Sequence, residues 1–175
     1  MGDSLSAAFG LQREQGWVAL LQTRLQQRDY DYQVINASIS GETSAGGVTR
    51  LPALLNSYHP AIVILALGAN DGLRGLPLDV MQVNLEQMIQ QSKAQGARVL
   101  LIGMQLPPNY GPAYSKLFQT TYDKLAQANE IALLPFLLEG IGENRTLFQQ
   151  DGLHPTAAAQ PTILQNVWEK LEKLL

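Results

Sequence analysis

Residues 61–68 read AIVILALG and residues 69–72 read ANDG. Eight apolar or small residues without a charge, rich in Ile and Leu, fit a strand buried on both faces. A strand of that kind belongs to a parallel sheet, because helices packed on both of its faces leave it no polar side. Asn-Asp-Gly directly behind it is a turn sequence. The same texture recurs in YQVINAS at 32–38, ARVLLIGM at 97–104 and IALLP at 131–135. Four strands are therefore expected.

Amphipathic stretches separate them. Apolar residues at three-four spacing predict helices over 16–27, 43–57, 78–95 and 113–129. The last helix is the clearest: Ile163, Leu164, Val167, Trp168, Leu171, Leu174 and Leu175 all fall on one face. Strands alternating with helices predict a three-layer α/β fold with a parallel sheet. No repeat, linker or low-complexity tract interrupts the pattern, so residues 1–175 are expected to form one domain. In such folds ligands bind beyond the carboxyl ends of the strands.

Composition excludes several classes of protein. The chain is 46% hydrophobic with a net charge of -3, which argues for a globular protein without the basic face of a nucleic-acid binder. With no cysteine there is no disulfide, thiolate metal site or cysteine nucleophile. No apolar run is long enough to span a bilayer, and the N-terminus lacks the pattern of a signal peptide. The chain as written is thus expected to stay in the cytoplasm.

Four polar clusters carry candidate chemistry. GDSLS at 2–6 offers a hydroxyl at a tight turn, where backbone N–H groups can meet an anion. On these residues alone the plainer reading, an N-cap serine, prevails. NASISGETS at 36–44 is rich in turn formers, and Gly41 would let its N–H approach a ligand; otherwise it is a loop with a helix capped by Thr43 or Ser44. In GANDG at 68–72 the Asn70 amide could serve a developing oxyanion, or the whole could be a plain turn. In DGLHP at 151–155, Asp151 could orient His154 and stabilise its protonated form, or the segment is a surface turn. The only other histidine, His59, sits between a predicted helix and strand and reads as a connector.

Together and in this order, the clusters resemble the SGNH (GDSL-type) hydrolase superfamily, most closely its bacterial thioesterase I / lysophospholipase / arylesterase group. LPALL at 51–55, GANDGLRG at 68–75, LPPNYG at 106–111 and LLPF at 133–136 extend the match over nearly the whole chain. The resemblance implies a flavodoxin-like sheet and a serine esterase or thioesterase acting on small-molecule acyl esters or thioesters. Ser4 would be the nucleophile, with His154 as general base and Asp151 as its partner. The N–H groups of Ser4 and Gly41 and the side chain of Asn70 would form the oxyanion hole. Leu73, Leu76, Pro107, Pro108 and Tyr110 would line an apolar groove, or simply pack their loops. The family implies no metal or organic cofactor, a monomer without stable membrane insertion, and export to the periplasm or beyond.

In one respect the sequence departs from the family, which places a hydrophobic strand immediately before the serine. Here only Met1, Gly2 and Asp3 precede it, so that first strand is expected to be missing from the sheet and Ser4 to lose one of its two anchors. Two alternatives stand beside the esterase reading. One is a carbohydrate O-deacetylase of the same superfamily; the other is a catalytically inactive α/β module.

Overall fold

The computed structural model describes residues 1–175. Three strands form one parallel sheet in the order β1 (Ile62–Leu65), β2 (Arg98–Ile102), β3 (Ala132–Leu134). Val63 lies opposite Val99 and Leu101 opposite Leu133. Because successive side chains point to opposite faces, the sheet fills two cores. Leu100 and Ile102 join Ala66 in the core beneath α1 (Trp17–Gln27) and α6 (Gln160–Leu171). Val63, Leu65, Val99 and Leu101 pack under α2 (Ser44–Tyr58), α4 (Leu78–Ala94) and α5 (Pro112–Asn129). Helices on both faces explain why these strands read as unbroken apolar runs.

The expected helices all form: the four with stated bounds lie within one residue of them at each end, and the last runs as α6 to Leu171 with a 3-10 turn over Glu172–Leu174. Thr43 caps α2 by accepting from Gly46 N, as the sequence allowed. His59 is the left-handed C-cap of α2, a connector as read.

Two expectations need correction. Residues 69–72, read as a turn, open a short helix, α3 (Ala69–Leu73), capped by Gly68 at φ 111°. A chain leaving β1 in that conformation can begin a helix at once, which local turn propensity does not reveal. The second concerns 32–38, expected as a strand. The segment has no regular secondary structure and belongs to no ladder. Between it and β1 lies an apolar cleft of about 420 Å³. Gly2 bridges to Ala66 in parallel and accepts from Ile39 N, and Met1 N donates to Ile64 O. Residues 32–38 have the apolar texture of a strand, but a ladder needs a neighbour about 4.8 Å away, and the cleft separates this segment from β1.

Gly68 decides how the β1 end feeds the site. A Cβ there would clash with Tyr122 Oη and lie 3.0 Å from Met81 Sδ, and Tyr122 Oη is already committed to Leu67 O. Gly68→Ala combines left-handed backbone strain with overpacking, and should lower the unfolding free energy by about 2–5 kcal/mol in urea denaturation. A loss below about half a kcal/mol would show that the turn relaxes freely.

Candidate active site

The chemistry-bearing loops meet beyond the carboxyl ends of the strands. The chain from Asp3 to Leu11 is a run of turns rather than the regular helix start that the serine cluster suggested. Ser6 N and Ala7 N both bond Asp3 O, while Ala8 takes a left-handed conformation at φ 59° and ends the would-be helix. Ser4 stands at the head of this loop, half-buried.

His154 arrives from the far end of the chain. Its Nε2 lies 2.9 Å from Ser4 Oγ, and its Nδ1 lies 2.7 Å from Asp151 Oδ2. The other carboxylate oxygen of Asp151 accepts from Leu153 N and His154 N, both at 2.9 Å. Gly152, at φ 68°, makes the tight turn that lets one carboxylate serve two N–H groups and the ring. Those bonds, the backbone ones foremost, hold the Asp151 carboxyl down at about 2. It is an anion at any working pH. Since it is largely exposed, the hydrogen bonds rather than burial set its charge.

Three features that the sequence did not single out hold this loop against Ser4. The Gln149 side chain donates to both Phe9 O and Pro155 O, tying the serine loop to the histidine loop. Phe9 lays its ring on the His154 imidazole, centroids 4.4 Å apart. Gln160, buried at the start of α6, accepts from Trp17 N at the start of α1. None of these pairings has a local sequence signal.

The expected oxyanion donors also converge. Neither Ser4 N nor Gly41 N donates to a protein acceptor. Gly41 has φ 79°, and its carbonyl is held by Arg74 Nη2 at 2.9 Å. Asn70 Nδ2 donates to Glu42 O at 3.0 Å, with Asp3 Oδ2 at 3.5 Å. Beside Asn70, Asp71 is buried and bonds both Ser44 N (2.9 Å) and Ser44 Oγ (2.5 Å), while Asn84 Nδ2 donates to the same hydroxyl. This clamp joins the Asn70 loop to the start of α2, three residues after Gly41. It was legible only as turn residues.

Asp3 is the second buried carboxyl of the site. Leu5 N donates to its Oδ1, and burial pushes it up to about 6, with His154 and its hydrogen bonds pulling the other way.

The five expected groove residues lie together on two adjacent loops. Tyr110 Oη donates to Leu73 O and its ring stacks on Tyr114. Leu73, Pro107 and Tyr110 are half-buried, while Leu76 and Pro108 are exposed. The small hollow that contains Ser4 and His154 is walled by Leu5, Ala8, Phe9, Leu11 and Pro155 rather than by these five. No group of His, Asp and Glu is arranged to hold a metal ion.

Comparison with known proteins bears on this geometry. The GDSL-like lipase/acylhydrolase family profile matches residues 1–160. Esterase TesA of Pseudomonas aeruginosa is 56% identical over all of this chain and 87% of its own length. The thioesterase 1/protease 1/lysophospholipase L1 of Escherichia coli is 41% identical over all of this chain and 83% of its own length. A crystal structure of TesA superposes with a TM-score of 0.97 at 56% identity, covering 99% of this chain and 97% of that one. With its strand order, its loops and these relatives in agreement, the chain belongs to the GDSL-like lipase/acylhydrolase family.

Proposed function

We propose that the chain hydrolyses acyl esters or thioesters through a Ser4–His154–Asp151 triad. The observation that carries this is the unbroken relay from Asp151 Oδ2 to His154 Nδ1 and from His154 Nε2 to Ser4 Oγ. A neutral serine hydroxyl is a poor nucleophile and needs a base in contact. Ser4 Oγ attacks the acyl carbon while its proton passes to His154 Nε2. Asp151, an anion bonded to Nδ1–H, stabilises the imidazolium. The carbonyl oxygen becomes an oxyanion beside Ser4 N, Gly41 N and Asn70 Nδ2. The C–O or C–S bond then breaks as His154 returns the proton to the leaving alcohol or thiol. Water repeats the sequence on the acyl-serine and releases the acid. The acyl chain runs outside the small hollow beside Ser4, along the loops at 73–76 and 107–110 that follow Asn70 and are joined by the Tyr110–Leu73 bond.

Asn70 already donates to Glu42 O, so its amide is oriented before substrate arrives. Preorganised donors of this kind need no rearrangement as charge develops. A relay at hydrogen-bond distance also favours an enzyme over an inactive module.

Ser4→Ala should reduce hydrolysis of p-nitrophenyl butyrate by at least about 10³-fold, and a phosphonate ester should label the wild type at Ser4 alone. Full activity in that variant would refute the nucleophile. Asn70→Ala should stay folded by circular dichroism and lose about 10²–10³ in kcat.

A pH experiment isolates Asp3. Its folded-state pKa is raised, so the stability it contributes is present below its unfolded value of 3.8 and lost as pH rises through about 6. Asp3→Asn carries no such charge. Its unfolding free energy relative to wild type should therefore improve from pH 4 to pH 7.5, by roughly 2 kcal/mol, in urea titrations at each pH. A difference that is flat with pH would mean that the carboxyl is not desolvated.

A further inference from the structure

The Asn70 amide has two protons to give. One goes to Glu42 O at 3.0 Å, which leaves the other for an oxyanion. A competitor stands close by. Asp3 Oδ2 lies 3.5 Å from Asn70 Nδ2, just beyond the usual N–H···O range of about 2.7–3.2 Å. A carboxylate is a stronger acceptor than a carbonyl. A shift of roughly half an ångström toward Asp3 would let it capture the proton that the reaction needs.

What holds Asn70 at that distance lies behind it. Asp71, the next residue, is 3% exposed, and its partners are neutral donors at the start of α2. Ser44 N donates to its Oδ2 at 2.9 Å and Ser44 Oγ to its Oδ1 at 2.5 Å. A buried carboxylate follows its donors, because leaving one unmet costs more than moving. The Asn70 loop is therefore placed by where the Ser44 hydroxyl points its proton.

A hydroxyl has one proton and turns about its C–O bond. Asn84 of α4 fixes it. Asn84 Nδ2 donates to Ser44 Oγ at 3.1 Å, and an amide nitrogen only donates, so the hydroxyl proton is left to point at Asp71. This is the one hydrogen bond that the Asn84 side chain makes. The chain of donors runs in a single direction, from Asn84 to Ser44 to the Asp71 carboxylate. Asn84 reaches Ser44 because α2 and α4 approach closely about one turn further along. A Cβ on Gly47 would lie 2.9 Å from Met88 Sδ and press on the Leu67 side chain.

We propose that Asn84 is a positioning residue for the oxyanion donor Asn70, acting through the Ser44 hydroxyl and the Asp71 carboxylate. The assignment rests on the ester-hydrolase reading of the site. Gly41, the neighbouring donor, stands outside this chain, since Arg74 holds its carbonyl.

The test compares p-nitrophenyl butyrate hydrolysis by the wild type and by Asn84→Ala, each checked for folding by circular dichroism. kcat should fall about tenfold or more, with KM within about twofold of the wild type. Acylation and deacylation both pass through an oxyanion at the same donors, so both slow together and KM stays. A double-mutant cycle separates positioning from general loosening. In an Asn70→Ala background, Asn84→Ala should cost less than about twofold, because the donor that it places is gone. Asn84→Asp keeps the shape but draws the Ser44 proton away from Asp71. It should lose at least as much kcat as the alanine variant, and it carries the test if alanine disturbs folding. Unchanged kcat in these variants overturns the proposal, and so does a loss that multiplies in full with that of Asn70→Ala. A wild type without hydrolysis, or full activity in Ser4→Ala, overturns the hydrolase reading and this assignment with it. Hydrolysis that depends on Ser4 but not on Asn84 overturns this assignment alone.

Discussion

A hydroxyl at residue 4 and an imidazole at residue 154 must stand within one hydrogen bond of each other, and this closure is what the rest of the structure serves. Both groups sit on irregular backbone, which has no ladder or helix of its own to fix it. Position is supplied instead by side chains that reach across. Gln149 holds the two loops together at Phe9 and Pro155, Gln160 pins the start of α1 to the start of α6, and the Phe9 ring packs on the imidazole. The closure is long-range in sequence but short in space, because the first and last helices share one face of the sheet.

The two carboxyl groups near His154 illustrate how environment divides labour between like side chains. Asp151 is exposed, yet it is the stronger acid, because two backbone N–H groups and the ring converge on it. Asp3 is buried and is the weaker acid, because its backbone hydrogen bonds and the nearby His154 do not offset desolvation. A triad carboxylate placed by hydrogen bonds rather than by burial keeps its charge through the reaction. A buried one so close to the nucleophile adds a charge that depends on pH.

Much of the fold was legible in the sequence, and the residues of the proposed site were named from it. Strands β1 to β3 announce themselves because burial on both faces forbids polar residues, a rule that acts locally. Ser4, Gly41, Asn70, Asp151 and His154 lie in four short motifs whose order carries the information. What escaped has a common cause. The Asp71–Ser44–Asn84 clamp, the Gln149 bridge and the Phe9 contact pair residues far apart in the chain, and each partner taken alone is an ordinary turn or helix residue. The α3 helix escaped because Gly68 can adopt φ 111°, which overrides the turn propensity of Asn-Asp-Gly. Residues 32–38 have the right composition for a strand, but pairing is a property of two segments, and the cleft keeps this one out of reach of β1.

Gly2 ties the serine loop to the sheet. It pairs with Ala66 on one side, accepts from Ile39 on the other, and leads directly into Asp3 and Ser4. Ile39 in turn lies two residues from Gly41, and Ala66 four from Asn70. The loops that carry Ser4, Gly41 and Asn70, the groups proposed to meet the oxyanion, are therefore registered against one another through one main-chain crossing. Gly2 cannot slide along β1 without carrying Ser4 with it, so the bonds that place the glycine also place the hydroxyl.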